Sequence, residues 1–336
     1  MKIAVIIPFY QNEPGILARS LDSVLRQDLP DGARVEVIVV DDASPVPARD
    51  EVARHADTDR IAWRHVRQDN GGPGAARNTG LDIVAADGGF DYVAFLDSDD
   101  EWTRDHLRNA VNALEQGYDF YFSDHSRPGV FDSHFAEVDI VSVVGREAWN
   151  RATRLGPFTR GFAPHALDHA MLRQYLSQSS TVVMRQATQG QHRFDTELRH
   201  AGEDRMMWIT AALSGARICL STRSEIVCGR GLNMFFETAS WDSPGIVKRL
   251  GSQLLRGQKL MQLDHDASRQ WIARDFRKNR RLYSYLAVRN LLKGKASDLA
   301  TLRPLMKRDP LLPLRMPFLF ASFLLSERRK TRTAAQ

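Results

Sequence analysis

The chain has 336 residues, more than one typical domain, and can bury roughly three quarters of the surface it would expose unfolded. Hydrophobic residues make up 43% and charged residues 26%, which excludes a chain dominated by disorder, and two cysteines (Cys219 and Cys228) exclude a disulfide framework. The net charge of +5 conceals an asymmetry: residues 1–245 hold 25 Lys and Arg against 35 Asp and Glu, whereas residues 246–336 hold 21 against 6.

Taken in order, Ile3 to Ile7 reads as a fully buried strand, with Met1-Lys2 leading straight into it and no secretory leader ahead. Reduced thiols and the missing leader both point to the cytoplasm. Leu17, Leu21, Val24 and Leu25 then form a helical stripe. Val35 to Val40 is a second strand, ending in Asp41-Asp42, and Ile61 to Val66 a third, followed by the glycine loop Asn70-Gly71-Gly72-Pro73-Gly74 and a helix from about Ala75. Tyr92 to Leu96 makes the fourth, with a helix expected from about Thr103. Such a βαβαβαβ series predicts a mostly parallel sheet covered on both faces, an α/β fold. Phe120, Tyr121 and Phe122 are expected to pack against it. Further on, Ser179 to Met184 reads as a strand, Gly202-Glu203-Asp204 opens a helix, and Arg217 to Leu220 and Glu225 to Cys228 read as two short strands. Basic helices are expected at 246–263, 267–293 and 297–307.

In open α/β sheets ligands bind beyond the carboxyl ends of the strands. Four polar clusters fall there: Pro8-Phe9-Tyr10, Asp41-Asp42, Asn70 to Asn78, and Asp97-Ser98-Asp99-Asp100-Glu101. The last places four acids within five residues, which repel one another unless a cation neutralises them, so a hard divalent metal is a natural occupant. A solvated acidic turn is the plain alternative. Glu203-Asp204 fits either chemistry or favourable charge at a helix start. Three further signals are weak. Gly72-x-Gly74-x-x-Arg77 is a near miss to a dinucleotide fingerprint, but it follows the third strand. His165 and His169 have zinc-like spacing without the glutamate that usually accompanies it, and the Arg-rich stretch Arg274 to Arg281 reads as a solvated or lipid-facing helix surface.

The basic tail suits nucleic acid or an anionic membrane. Its end, Leu311 to Leu325, is strongly apolar but interrupted by Arg315 and two prolines, and Arg328-Arg329-Lys330 follow. Too short to span a bilayer, it is expected either to lie in the membrane interface or to pack on the core as a terminal helix. Nucleic-acid binding is not expected, because the aromatic and basic interleaving of a base-stacking surface is thin.

The segments IPFYQNEPGIL (7–17), DDASPVPA (41–48), NGGPGAARNTGLD (70–82), VAFLDSDDEWTRDHL (93–107) and GRGLN (229–233), in this order, resemble the inverting family 2 glycosyltransferases of GT-A fold. Their pattern is most similar to the glucosyltransferases of succinoglycan-type exopolysaccharide assembly. The resemblance covers residues 1–240 and leaves 241–336 as a basic helical region that associates with membrane. It implies a UDP-sugar donor, Mn²⁺ or Mg²⁺, and a lipid-linked oligosaccharide acceptor at the inner face of the cell membrane. Pro8 and Tyr10 would wrap the nucleoside, Asp42 would accept the uracil N–H, and Asn70, Arg77 and Asn78 would stand near the base or diphosphate. Asp97 and Asp99 form the D-x-D pair at the metal, with Asp97 also near the ribose. Asp204 would be the catalytic base, with Glu203 orienting the acceptor and Trp208 either a sugar platform or core. In place of the His-containing motif of many relatives the chain has Cys228-Gly229-Arg230-Gly231-Leu232-Asn233, so Arg230 would serve the diphosphate and the third metal ligand is left open. A catalytically silent UDP-sugar-binding scaffold is the rival expectation.

Overall fold

A computed structural model describes residues 1–229, 241–243, 245–263, 266–295 and 299–333. The chain forms two compact units: one holds the described residues of Met1–Thr196 and Glu203–Leu232, the other those of Glu197–Gly202 and Asn233–Gln336. Arg230 falls outside the described residues.

The first unit is built on a ten-stranded sheet. Its strands are β1 (Lys2–Phe9), β2 (Arg34–Asp41), β3 (Ile61–Arg67), β4 (Tyr92–Phe95), β5 (Glu101–Trp102), β6 (Phe120–Ser126), β7 (Thr153–Arg154), β8 (Thr159–Gly161), β9 (Val182–Arg185) and β10 (Ile218–Val227). Their order is β3-β2-β1-β4-β9-β6-β10-β8-β7, with β5 pairing to β10. The long strands β1, β2, β3, β4, β6 and β10 run one way, and β9 lies antiparallel between β4 and β6.

Why the central strands are unbroken apolar runs follows from the pleat. Ala4 and Ile6 of β1 join one buried cluster while Ile3, Val5, Ile7 and Phe9 join another, so both faces are packed and no position can be polar. Helices cover those faces. Leu17–Leu25 buries Leu17, Leu21 and Val24, whereas Leu25, at the edge of the expected stripe, is exposed. Pro73–Asp87 lies so close to the sheet that a Cβ on Gly80 would stand 2.6 Å from Cγ2 of Ile6.

Three expectations are amended. The segments read as two short strands form the single strand β10, because the polar stretch Ser221 to Ser224 is carried through by an irregularity in its pairing with β6. Ser179–Thr181 is a 3₁₀ turn that leads into β9. The helix expected from Thr103 begins at His106, after β5.

The second unit is helical: Ile246–Leu260, Asp266–Leu292, Leu299–Arg308 and Leu312–Thr333. Small residues allow close packing, with Gly251 against Tyr283 and Thr301 and Gly257 against Phe276.

Candidate active site

The parallel register aligns the strand ends on one rim: Phe9 pairs with Asp41, Asp41 with Arg67, and Ile6 with Phe95. Side chains then stitch the rim together. The backbone N–H of Gln11 donates to Oγ of Ser44 (2.7 Å), and Nε2 of Gln11 donates to Oγ of Ser98 (3.0 Å). Pro8 is half-buried at the end of β1, and Tyr10 beyond it is 43% exposed.

The two acids after β2 have different surroundings. Asp41 is buried and accepts from the backbone N–H groups of Ser44 (2.7 Å) and Ala48 (3.0 Å), closing its own turn. Asp42 reaches across to the glycine loop, accepting from the N–H groups of Gly71 (2.8 Å) and Gly72 (2.7 Å) and from Nε2 of Gln68 (2.7 Å), while Nδ2 of Asn70 donates to its carbonyl (2.9 Å). A carboxylate offers about four acceptor positions, and these three bonds leave Asp42 one. Gly72 sits at φ +89°, a conformation that favours glycine, as the loop turns into the helix Pro73–Asp87.

On that helix Arg77 is the hub. Its Nη1 donates to Oε1 of Glu203 (3.0 Å) and its Nη2 to Oδ1 of Asp97 (2.7 Å), while its guanidinium lies 5.2 Å from the centroid of Phe194. Burial opposes its charge, but Asp97, Glu203 and Asp204 outweigh this and hold it above its ordinary value, permanently cationic. The Asn78 amide is tied to the backbone of Phe194, its Nδ2 donating to the carbonyl (2.9 Å) and its Oδ1 accepting from the N–H (2.8 Å), which fixes the ring beneath Arg77.

The acidic loop after β4 is held from the antiparallel strand. Nε2 of Gln178 donates to Oδ2 of Asp97 (3.0 Å) and of Asp100 (2.6 Å), and Oγ of Ser180 donates to Asp100 (2.6 Å). The N–H of Gly229 donates to the other oxygen of Asp100 (2.8 Å). Burial, then the charges of Asp99 and Asp97, push the Asp100 carboxyl up to about 7. Asp100 is thus the buried brace of the loop, and Asp97 and Asp99 are its more exposed acids.

Glu203 and Asp204 open the helix Glu203–Leu213. Burial and the neighbouring Asp204 raise Glu203 to about 7, against the pull of Arg77. Asp204 accepts from the hydroxyl of Tyr175 at one oxygen and from the N–H of Arg205 (2.6 Å) at the other. Burial, then the charge of Asp204, holds the Tyr175 hydroxyl well above its usual range, so it stays a donor. The carbonyl of Tyr175 is in turn 2.9 Å from Nε2 of His134.

Of the residues singled out from sequence, the fold groups Asp97, Glu203 and Asp204 around Arg77 and makes Asp100 a brace; Tyr175, Gln178 and Ser180, which hold them, were not singled out. Trp208 is core, packed among Phe95, Phe120 and Phe194 at 5.4 to 5.6 Å. His165 pairs with Asp168 (3.0 Å) and His169 lies 3.2 Å from Arg173, so neither ring is arranged for zinc. Both cysteines are buried.

Among the described residues no group of three or more His, Cys, Asp or Glu side chains could hold a metal on its own. The donor set still fits a hard divalent ion. Mg²⁺-type sites use one or two carboxylates plus the substrate's phosphates, and Asp97 and Asp99 on one loop supply that number, their charges close enough to raise Asp100.

The chain is similar to known glycosyltransferases. The model of Glycosyl transferase family 2 matches residues 4–164. The succinoglycan biosynthesis protein ExoW of Rhizobium meliloti (strain 1021) is 39% identical over 251 residues, covering 74% of this chain and 75% of that protein. S. aureus TarS 1–349 in complex with UDP-GlcNAc superposes with a TM-score of 0.58 at 21% identity, over 95% of this chain and 84% of that one, while this chain spans about half (48%) of the longer TarS chain. The mannosyltransferase PcManGT from Pyrobaculum calidifontis, in complex with GDP-Man and Mn²⁺, gives 0.55 at 18% identity, over 98% and 86%. At these identities the structures establish the GT-A type of fold, and together with the family model and the similarity to ExoW they show that the chain belongs to glycosyl transferase family 2.

Proposed function

We propose that the chain is an inverting, metal-dependent hexosyltransferase of exopolysaccharide assembly, which moves glucose from UDP-glucose onto a lipid-linked oligosaccharide at the inner face of the cell membrane and forms a β-glycosidic bond. The observation that carries this reading is the chain of contacts from Asp97 through Arg77 to Glu203, beside Asp204 with its carboxylate held by Tyr175. On this reading it joins the diphosphate end of a donor site to a base at the acceptor end. The similarity to ExoW supports the pathway, and the UDP-GlcNAc in TarS supports a UDP-sugar donor.

In this mechanism the acceptor hydroxyl attacks the anomeric carbon from the face opposite the diphosphate. Its proton passes to a carboxylate oxygen of Asp204, the carbon–oxygen bond to the diphosphate breaks, and the electron pair leaves on UDP. Tyr10 offers its exposed face to the uracil, and the remaining acceptor position of Asp42 reads the base N–H. Arg77 orients Asp97 and Glu203 and adds positive charge beside the diphosphate. A divalent ion held by Asp97 and Asp99 would stabilise the leaving diphosphate as a Lewis acid. Glu203, protonated for part of the time near neutral pH, spares Asp204 a second full negative charge and can donate a hydrogen bond to the acceptor.

Asp204→Asn is expected to lose transfer by at least ~100-fold while metal-dependent UDP binding persists, and EDTA to abolish release of UDP from UDP-glucose. Near wild-type turnover in Asp204→Asn would remove the base assignment. Donor binding without turnover in the wild type, across a panel of UDP-sugars with bacterial lipid extract, would favour the silent scaffold.

A further inference from the structure

The terminal helix Leu312–Thr333 is apolar on two sides. Its inner side is accounted for: Leu312 is buried, Phe320 and Phe323 stack on Tyr285 with centroids 5.4 and 4.5 Å apart, and Trp241 meets Phe323 edge-on at 6.0 Å. Among the described residues the other side has no such cover. Leu314 is 70% exposed, Phe318 78% and Leu325 61%, with Leu311 and Leu324 also exposed. At 3.6 residues per turn these five and Ala321 occupy an arc of roughly 140°, and exposed Arg315 lies at its edge, tied to Asp309 (3.0 Å).

A ridge of large apolar side chains on the outside of a folded unit marks a docking surface, and two observations identify the occupant. The arc is far wider than the narrow seam a second helix would need. The chain also continues into Arg328, Arg329, Lys330 and Arg332, within a region of 21 basic and 6 acidic residues, so two copies brought face to face would repel. A broad apolar face continued by basic residues suits one environment: the boundary between acyl chains and anionic headgroups. Among the described residues no helix is long and apolar enough to cross a membrane, as a helix lying in the interface requires.

We propose that Leu311, Leu314, Phe318 and Leu325 form a ridge that inserts into the interface of an anionic phospholipid bilayer, while the aromatic stack on Tyr285 holds the helix to its unit. The inference rests on the membrane-surface part of the functional reading and names the residues responsible for it. It is independent of which sugar is transferred.

The test is flotation of the full chain with vesicles of phosphatidylcholine alone or with phosphatidylglycerol. The wild type is expected to float with the anionic vesicles, less so at high salt, and the double substitution Leu314→Glu, Phe318→Glu to lower the bound fraction at least tenfold, with UDP-sugar turnover on a soluble acceptor unchanged. Because Cys219 and Cys228 are buried, Phe318→Cys labelled with an environment-sensitive dye reports insertion directly in a chain whose fold is intact. A blue-shifted, brighter dye with anionic vesicles supports the proposal. An unshifted dye, undiminished flotation of the double variant, or a wild-type dimer in light scattering that the double variant turns to monomer would overturn it. A wild type that turns over donor but does not float with anionic vesicles removes only the membrane inference, whereas wild-type flotation together with an active Asp204→Asn removes only the base.

Discussion

Arg77 shows what a single side chain contributes to this site. A guanidinium presents donors in a fixed fork, and here the fork spans Asp97 and Glu203, residues far apart in sequence. Lysine, a point charge without that fork, cannot hold both, so Arg77→Lys is expected to lower kcat/KM by at least ~10-fold, checked by initial rates over a donor series. Tyr175 acts on Asp204, the proposed base. A hydrogen bond to a charged group contributes about 1.5–3 kcal/mol, so Tyr175→Phe is expected to reduce kcat by about 10- to 100-fold with donor KM unchanged. An equal rise in KM would instead assign Tyr175 to donor binding. The acids were legible because carboxylates after apolar runs stand out. Tyr175, Gln178 and Ser180 were not, since they precede a strand, and only the antiparallel direction of β9 brings the start of that strand to the rim where the parallel strands end.

At the scale of elements, the site depends on close approach of backbones. A Cβ on Gly229 would stand 1.9 Å from the carbonyl oxygen of Asp99, and the same glycine's N–H holds Asp100. Backbone cannot yield as a flexible side chain does. Gly229→Ala is therefore expected to displace the acidic loop and abolish metal-dependent donor binding, read by calorimetry with Mn²⁺ and UDP. Gly80→Ala, pressing on Ile6 rather than on the loop, is expected to cost about 1–3 kcal/mol in urea denaturation with donor affinity kept. The buried parallel strands were readable because two-sided burial demands continuous apolar sequence. Strands β5, β7 and β8 are two or three residues long, and their pairing with neighbours, not their composition, makes them strands.

For the molecule as a whole, buried titratable groups set the pH range of stability. His125, 4% exposed and stacked on His134, is held down to about 3 by burial, then by His134 and Arg127. Its folded value is below the unfolded one, so the unfolded chain binds the extra proton. The stabilisation is fully present above about pH 6.5 and is lost as pH falls toward 3. Glu203 and Asp100, both raised to about 7, act in the opposite sense: their contribution is present in acid and lost as pH rises through 7. Comparing variants separates the two. His125→Phe, which keeps a ring between Phe131 and His134, is expected to lose less stability than the wild type between pH 7 and pH 5, by about 2 kcal/mol, measured from urea midpoints. Equal losses would show that His125 does not drive the acid transition.

The sequence by itself determined the parallel half of the sheet, the polar clusters on its rim, the family and the division of charge between an acidic body and a basic tail. Each is a local property: strand burial, the spacing of residues within a motif, or a count. Only the tertiary structure decided that Arg77 joins Asp97 to Glu203, that Tyr175 holds Asp204, that Asn78 is tied to Phe194 and Trp208 packs in the core, and which side of the terminal helix is exposed among the described residues. These depend on partners brought from distant parts of the chain by strand direction and helix packing. Composition shows that a segment is apolar, but the face that finds a partner is selected by what packs against it.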